Sequence, residues 1–259
     1  MMRSLWISKT GMEAQQLQLD TISHNLANVG TNGYKRSHAV FEDLIYQNLR
    51  QAGSQSSANT TLPTGLQLGT GVRPVATGRN FSQGNLQQTN NPFDLALSGN
   101  GFFPLQMPDG TTGFTRDGGL MVDDQGVLRT RRGLTVLGDG GPITVPPNAE
   151  VAIGSDGNVS AKVGNQPSLP VGQLKLVNPP AAELAKSADG LVRLRSGDPA
   201  DVDPEVRIAD GVLEGSNVNV VEAMVGMIEV ARQFEMQMKL LQNTEANEQR
   251  AAQLLSLKG

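Results

Sequence analysis

The sequence predicts an α+β protein in which a long helix at each end of the chain flanks a β-rich middle. All 14 prolines of the 259 residues lie between Pro63 and Pro204, and most of the 30 glycines lie in the same part. Because proline and glycine disfavour helix interiors, only the two ends are free to form long helices. Both ends also repeat apolar residues every seven positions, whereas the middle alternates apolar and polar residues.

The first predicted element is a helix of about 25 residues at the N-terminal end. Leu5, Met12, Leu19 and Leu26 recur at intervals of seven, and Ile22 adds an apolar half-heptad position. A seven-residue repeat keeps one seam directed at a partner helix. We therefore expect these five residues to lie at a helix–helix interface that supports assembly.

The C-terminal end predicts a second, longer heptad helix that begins after Asn219. The Asn219 side chain can accept hydrogen bonds from the first free amides, and Glu222 places a carboxylate near the positive end of the helix dipole. Two narrow apolar seams bury each other best, so we expect a coiled-coil domain of residues 1–30 plus 217–259, with further faces left for other copies. Packing of the two helices within a monomer is the alternative. The interface residues expected on this helix are Met224, Met227, Ala231, Phe234, Met238 and Leu241.

An extended connecting region is predicted for residues 31–91 plus 205–216. Residues 50–75 are rich in Gly, Ser, Thr and Gln and carry almost no helix signal. Such a composition is typical of a disordered linker, or of an extended arm that is ordered only by its neighbours. The sequence leaves both interpretations open.

Residues 92–204 predict an antiparallel β-rich domain of short strands and turns. Apolar and polar residues alternate from Phe93 to Ser98, which is the period of a strand. The Asn100-Gly101 and Asp109-Gly110 pairs predict tight turns. Several further short apolar segments follow, each bounded by turn residues.

The composition argues against several classes of function. The chain has no cysteine, which removes disulfides, thiol nucleophiles and cysteine-ligated zinc, and its net charge of −4 disfavours nucleic acid binding. His24 and His38 have no further cluster of ligands around them in the sequence, and no phosphate-binding loop or nucleophile elbow is present. We therefore expect no enzyme, catalytic residue, cofactor or metal. No apolar run reaches the roughly 18–20 residues of a membrane span, and no cleavable signal peptide is expected.

One stretch, NLANVGTNGYKR, stands where the first helical pattern ends. Gly30, Asn32 and Gly33 can adopt the left-handed conformations that stop a helix, so the stretch predicts a hinge. Lys35 and Arg36 then begin the extended arm, where we expect them to pair with acidic groups of a neighbouring subunit or to remain solvated.

This stretch and EGSNVNVVEAMVGMI, residues 214–228, resemble the paired signatures of the bacterial flagellar basal-body rod and hook protein family. Within that family the segments FEDLIYQNLRQAGSQSS, LPTGLQLGTGVRP and FSQGNLQQTNNPFDLALSGNGFF are most similar to the distal rod members. Residues 46–65 look like the insert that separates distal rod from hook subunits. The signature positions in this sequence are Asn25, Leu26, Ala27, Asn28, Thr31, Gly33, Tyr34 and Lys35.

The resemblance implies a structural subunit that assembles into the distal rod, with the coiled-coil domain as its inner domain and the central β-rich domain as its outer domain. That rod is a rigid hollow drive shaft across the periplasm, which transmits torque from motor to hook and encloses the export channel. The implied partners are further copies of the chain, proximal rod proteins below, hook protein above, surrounding basal-body ring proteins, the rod cap and the flagellar type III export apparatus. A proximal rod or hook subunit is the alternative within the family, and a secreted β-rich adhesin is the alternative outside it.

The resemblance also implies export without a cleaved signal peptide. The segment FEDLI is similar to a short aromatic-then-aliphatic export motif, in which Phe41 and Ile45 would be the two recognised side chains. Ordinary packing of Phe41 explains the same pattern equally well.

Overall fold

The computed structural model describes residues 2–45, 47–50, 55–57, 60–61, 66–187, 190–197 and 200–256. These residues form two compact units. Unit 1 comprises the described residues of 1–27, 37–80 and 219–259, and unit 2 comprises those of 28–36 and 81–218. The order of elements is a helix, a series of antiparallel strands and a second helix, as the α+β prediction requires.

Unit 1 contains both long helices, α1 (Met2–Ala27) and α2 (Val220–Ser256). The helices contact each other. A Cβ atom on Gly11 would lie 3.2 Å from the Gln237 side chain, and one on Gly226 would lie 3.6 Å from Ile22. Residue numbers therefore rise along one helix as they fall along the other, so the pair is antiparallel. Neither helix is long and apolar enough in its described residues to cross a membrane.

The side of α2 that is shielded from solvent follows the heptad pattern. Seven of its buried or half-buried residues recur at alternating intervals of three and four, and Val230, only 4% exposed, is the most buried of them. This spacing directs one stripe of a helix to a partner. The stripe comprises Val220, Ala223, Met227, Val230, Phe234, Gln237 and Leu241.

The first turn of α2 is capped as the sequence predicts. Asn219 Oδ1 accepts hydrogen bonds from the backbone N–H groups of Val221, at 3.0 Å, and of Glu222, at 3.2 Å. These bonds satisfy two of the amide donors that a helix start leaves without an intrahelical partner.

We expect Asn219→Ala to destabilise the start of α2 by about 1 kcal/mol, because both amides lose their acceptor. Hydrogen exchange at Val221 and Glu222 measures the effect, and their protection should fall. The matched control is Asn243→Ala, an exposed position inside the same helix, where alanine should leave the helix unchanged or slightly more stable. Equal protection in Asn219→Ala and in the unsubstituted chain would contradict the capping role.

Unit 1 also contains a two-stranded ribbon of β1 (Ser37–Asp43) and β6 (Val72–Arg79), which pair antiparallel and contact α1. Four short strands pair locally within the same unit, β2 with β5 and β3 with β4. Much of the insert expected at 46–65 lies outside the described residues. The bounds of these strands are β2 (Gln47–Arg50), β3 (Gln55–Ser57), β4 (Thr60–Thr61) and β5 (Leu66–Leu68).

Unit 2 is built from fifteen described strands, all paired antiparallel, and one short 3₁₀ helix at Ala181–Glu183. The strands are β7 (Leu86–Gln88), β8 (Leu95–Ser98), β9 (Phe103–Gln106), β10 (Thr112–Thr115), β11 (Leu120–Val122), β12 (Leu128–Thr130), β13 (Thr135–Gly138), β14 (Gly141–Pro142), β15 (Ala149–Ile153), β16 (Asn158–Val163), β17 (Leu169–Gln173), β18 (Leu184–Lys186), β19 (Val192–Leu194), β20 (Arg207–Asp210) and β21 (Val212–Glu214).

The largest sheet of unit 2 has the strand order β11-β12-β13-β9-β10-β19-β18, with β14 paired to β13. A second sheet has the order β15-β16-β17, and two strand pairs, β20 with β8 and β21 with β7, bring late segments of the chain against early ones. The main hydrophobic core lies among these strands and includes Leu95, Phe103, Leu128, Val136 and Val159, each fully buried.

The turn at Asn100-Gly101 does not join a hairpin, because β8 pairs with β20 and not with β9. Ala96 and Asp94, which alternate with the apolar residues of this segment, are buried as well. Both faces of this segment are covered because strands from the end of unit 2 pack around it, and alternation along a single strand cannot reveal that. The Asp109-Gly110 turn does join a hairpin, between β9 and β10.

Candidate functional site

The first signature ends in a turn whose geometry requires glycine. Gly33 has a φ of 65°, and a Cβ atom there would lie 2.4 Å from the backbone nitrogen of Asp117 and 2.5 Å from the carbonyl carbon of Arg116. Its backbone N–H donates a 2.7 Å hydrogen bond to the carbonyl oxygen of Glu214. The turn of the first signature therefore lies directly against the start of the second.

A buried carboxylate joins the two signatures. Glu214 is fully buried at the end of β21, and its Oε1 atom lies 2.6 Å from Lys35 Nζ. Its Oε2 atom lies 2.8 Å from Arg116 Nε. The backbone N–H of Gly84 donates a third hydrogen bond, 2.8 Å long, to Oε1. We call Lys35, Arg116 and Glu214 the buried charge cluster.

Backbone carbonyl groups accept the remaining hydrogen bonds of the two cations. Lys35 Nζ donates to the Ser82 oxygen at 2.7 Å. The Arg116 guanidinium donates to the oxygens of Gly101, at 2.9 Å, and Gly99, at 2.8 Å. Burying an unpaired charge is costly in free energy, and these hydrogen bonds and ion pairs offset that cost for the three buried side chains. The cluster connects five segments of unit 2, which contain Lys35, residues 82–84, residues 99–101, Arg116 and Glu214.

The electrostatics of the cluster indicate a structural role. Burial lowers the pKa of Lys35 below its ordinary value, and the repulsion from Arg116 acts in the same direction, while the hydrogen bond and the charge of Glu214 oppose the shift. The carboxylate oxygens accept from Lys35, Arg116 and Gly84, and the three side chains are shielded from water. A catalytic acid or base needs access to a reactant, which this cluster does not provide. Among the described residues, no group of three or more His, Cys, Asp or Glu side chains could hold a metal ion.

Asn25, the first residue of the signature, has a separate role inside unit 1. Its side chain is buried, its Nδ2 atom donates to the Ser37 carbonyl oxygen at 2.7 Å, and its Oδ1 atom accepts from the Ser37 N–H at 2.8 Å. The amide thus makes the two hydrogen bonds that a neighbouring strand would make. It fastens the first residue of β1 to the last turn of α1.

Comparison with known protein families finds three matching models along the chain. A flagella basal body rod protein model matches residues 5–35, and a flagellar basal body rod FlgEFG protein C-terminal model matches residues 209–254. A flagellar hook protein FlgE/F/G D1 domain model matches residues 96–161. The first two matches contain Lys35 and Glu214, and the third contains Arg116.

Similar proteins match over nearly the whole chain. The flagellar basal-body rod protein FlgG of Buchnera aphidicola subsp. Schizaphis graminum is 46% identical over 98% of this chain and 100% of its own length. The protein of that name from Borreliella burgdorferi is 38% identical over 95% of this chain and 96% of its own. The rod protein FlgF of Salmonella typhimurium is 40% identical over the same shares.

The chain belongs to the flagellar basal-body rod protein family. It is a structural protein and not an enzyme, as the sequence predicted.

The surroundings of Lys35 in this rod protein differ from the two alternatives that the sequence suggested. Lys35 neither remains solvated nor faces outward toward another subunit; it is 3% exposed and pairs with Glu214 of its own chain. The neighbouring Arg36 donates its backbone N–H to Asn217 Oδ1 at 2.7 Å. An ion pair between residues so far apart in sequence leaves no local pattern, so only the fold could reveal it.

The predicted interface residues of the rod protein have two kinds of surroundings. Those on α1 are half-buried, as are four of the six on α2, whereas Met224 and Ala231 are exposed. Of the two residues suggested as an export motif, Phe41 is half-buried within β1 and Ile45 is 91% exposed. The half-buried residues are Leu5, Met12, Leu19, Ile22, Leu26, Met227, Phe234, Met238 and Leu241.

Sequence reasoning missed Arg116, Ser82 and Gly84 as members of the signature site. Arg116 lies in TRDGG, just after β10, where a charged residue looks like part of an exposed turn. The available signal was the opposite charge of the two signatures: the first carries the cations Lys35 and Arg36, and the second carries the anions Glu214 and Glu222.

Proposed function

We propose that this rod protein polymerises into the distal part of the flagellar rod, a stiff hollow shaft. In this proposal α1 and α2 form a coiled-coil inner domain around the bore, with boundaries near 1–30 and 217–259. The β-rich region 92–204 lies outside it, and 31–91 plus 205–216 connect the two. The similarity to rod proteins over nearly the whole chain supports the proposal.

The observation that carries the proposal is a second apolar face on α2. One stripe of the helix is shielded from solvent, yet Val221, Met224, Val225 and Ile228 are each about half exposed or more. Large side chains at this spacing form a continuous surface. A subunit that polymerises through its helices needs such a surface, because burial of apolar area is the main favourable term in association. A self-contained binding protein such as an adhesin does not need it.

We propose that the signature turn acts as the hinge between the helical and β-rich parts. The buried charge cluster then holds in place the segment that follows the turn, which contains Lys35. The proposed partners are further copies of the chain, proximal rod proteins, hook protein, the surrounding ring proteins and the rod cap. Export through the flagellar type III apparatus without a cleaved signal peptide, with Phe41 and Ile45 as a recognition motif, is part of the same proposal.

We expect the purified full-length chain to sediment as filaments above a critical concentration, with negative-stain electron microscopy showing their form. Ile228→Asp should raise that concentration by about tenfold or more, because burying one large aliphatic side chain is worth about 1.5–3 kcal/mol. Gln233→Asp is the matched control, since it adds the same charge at an exposed polar position of the same helix. Filaments that form equally well from Ile228→Asp would contradict assembly through this face.

A further inference from the structure

Unit 1 exposes an apolar surface at the start of α2. We call Val221, Met224, Val225 and Ile228 the α2 patch; their exposed fractions are 70%, 50%, 49% and 54%. On a helix, residues at these spacings share one face. That face is turned away from the stripe that includes Val230. The patch therefore remains available after α1 and α2 have packed together.

A second exposed apolar surface lies near the start of α1. We call Trp6 and Ile7 the α1 patch; they are 55% and 41% exposed. The ammonium group of Lys9 lies 5.6 Å from the centre of the Trp6 ring, so the patch carries a positive charge at its edge. An exposed tryptophan is an unusual surface residue and is enriched at protein interfaces.

The two patches lie at opposite ends of the helix pair. Gly11 lies beside Gln237 and Gly226 beside Ile22, which places Trp6 close to the level of residue 242 on α2. Val225 is then about 25 Å further along the axis, at 1.5 Å per residue. A single copy cannot bring the two patches together, but the end of one copy can meet the opposite end of another.

The charges around the patches distinguish the possible pairings. Glu222 and Glu229 are exposed and flank the α2 patch. At the α1 patch the charged group is the Lys9 ammonium, which also lies 3.6 Å from Glu13 of its own helix. Contact between two α2 patches would bring four carboxylates together, and like charges facing each other disfavour a pairing. Contact between an α2 patch and an α1 patch brings opposite charges together.

We propose that the α2 patch of one copy docks on the α1 patch of the next copy. This inference rests on the proposed function and specifies which surfaces of the helical domain meet. The contact is head-to-tail, so each copy keeps one patch free for a further copy. A contact of this kind extends into an open helical filament, whereas pairing of like patches would end at a dimer.

Disulfide cross-linking of assembled chains tests the docking. Because the sequence has no cysteine, any disulfide that forms must join the introduced cysteines. The double variant Trp6→Cys/Val225→Cys removes two apolar side chains of the patches, so its filaments are grown at a concentration above its raised critical concentration. On mild oxidation these filaments should give a ladder of cross-linked oligomers. Each single variant should give no cross-linked dimer, and an equimolar mixture of the two should give dimers and nothing larger. The control pair, Trp6→Cys with Gln233→Cys, uses an exposed position outside the α2 patch and should give no ladder.

Charge exchange provides a second test that keeps both patches apolar. Lys9→Glu and Glu229→Lys should each raise the critical concentration by about two- to fivefold, the range of an exposed ion pair. The double variant should return toward the unsubstituted value, because the opposite charges then face each other again.

Dimers from Val225→Cys alone would overturn the docking in favour of contact between like patches. Filaments that form but lack the Trp6–Val225 cross-link, with no rescue by the charge exchange, would overturn the docking and leave the proposed function standing. Absence of filaments from the unsubstituted chain would instead overturn both.

Discussion

Glu214→Gln is expected to destabilise unit 2 by about 3–5 kcal/mol, which is the cost of breaking a buried ion pair by removing one partner. The substitution keeps the size of the side chain and removes its charge. Lys35 and Arg116 would then be two buried cations without an anion. One of them would also face the NH₂ group of the new amide, a donor where an acceptor is needed.

Hydrogen exchange at increasing urea concentrations, read by mass spectrometry of peptides, measures the loss of stability in unit 2 separately from unit 1. Peptides that cover β8 to β15 should lose protection at lower urea concentration. The matched control is Glu205→Gln, which removes a carboxylate from an exposed position of the same unit and should change stability by less than about 0.5 kcal/mol. A loss for Glu214→Gln no larger than that of the control would show that the buried charge cluster does not stabilise the fold.

Coupling within the cluster can be measured with a double-mutant cycle. Lys35→Met keeps most of the apolar stem and removes the ammonium group. We expect this change to cost less in the Glu214→Gln background than in the unsubstituted chain, because the lysine then no longer has a carboxylate partner to lose. Additive effects would mean that Lys35 and Glu214 act independently.

The helices at the two ends and the β-rich character of the middle of the chain were predictable because their signals are local. A proline-free heptad repeat needs no knowledge of the partner to indicate a helix, and Asn219 caps α2 through atoms only a few residues apart. The resemblance to rod proteins likewise followed from two contiguous motifs. Each of these inferences depended on residues that are near one another in the sequence.

The pairing of β8 and the surroundings of Lys35 were not predictable, because their partners are distant in the sequence. β8 is followed by a turn-forming sequence, yet its partner is β20, more than a hundred residues later. Lys35 meets Glu214, which is 179 residues away. Local patterns report whether a residue prefers a helix, a strand or a turn, but they carry no information on which distant strand or charge will be its neighbour.

The two signatures thus have a physical explanation that their sequence pattern alone did not provide. Each supplies one charge of the buried cluster, and the first supplies the glycine turn that lies against the second. Neither set of contacts can form until both ends of the chain are present. We infer that the motifs are matched parts of one structural site, which accounts for their position near opposite ends of the sequence.

Gly33→Ala is expected to destabilise unit 2 by at least about 2 kcal/mol, whereas Gly30→Ala in the same turn should be neutral or slightly stabilising. Gly33 has a φ of 65°, a conformation that costs a side-chain-bearing residue about 1–3 kcal/mol. Its new methyl group would also overlap backbone atoms of Arg116 and Asp117, at 2.4–2.9 Å. This backbone follows β10 and is held by the buried, hydrogen-bonded side chain of Arg116, so it cannot move aside as the end of a flexible side chain can.

Gly30 makes the comparison decisive, because a methyl group there has no atom within 4 Å and its φ is not positive. Alanine at such a position restricts the unfolded chain and strains nothing in the folded one. Thermal unfolding monitored by calorimetry gives both values. Exchange of the Gly33 amide, which donates to the Glu214 carbonyl, shows whether the turn has separated from β21. If Gly33→Ala and Gly30→Ala proved equally stable, the turn would not be held against Arg116 and Asp117, and the signature glycine would need a different explanation.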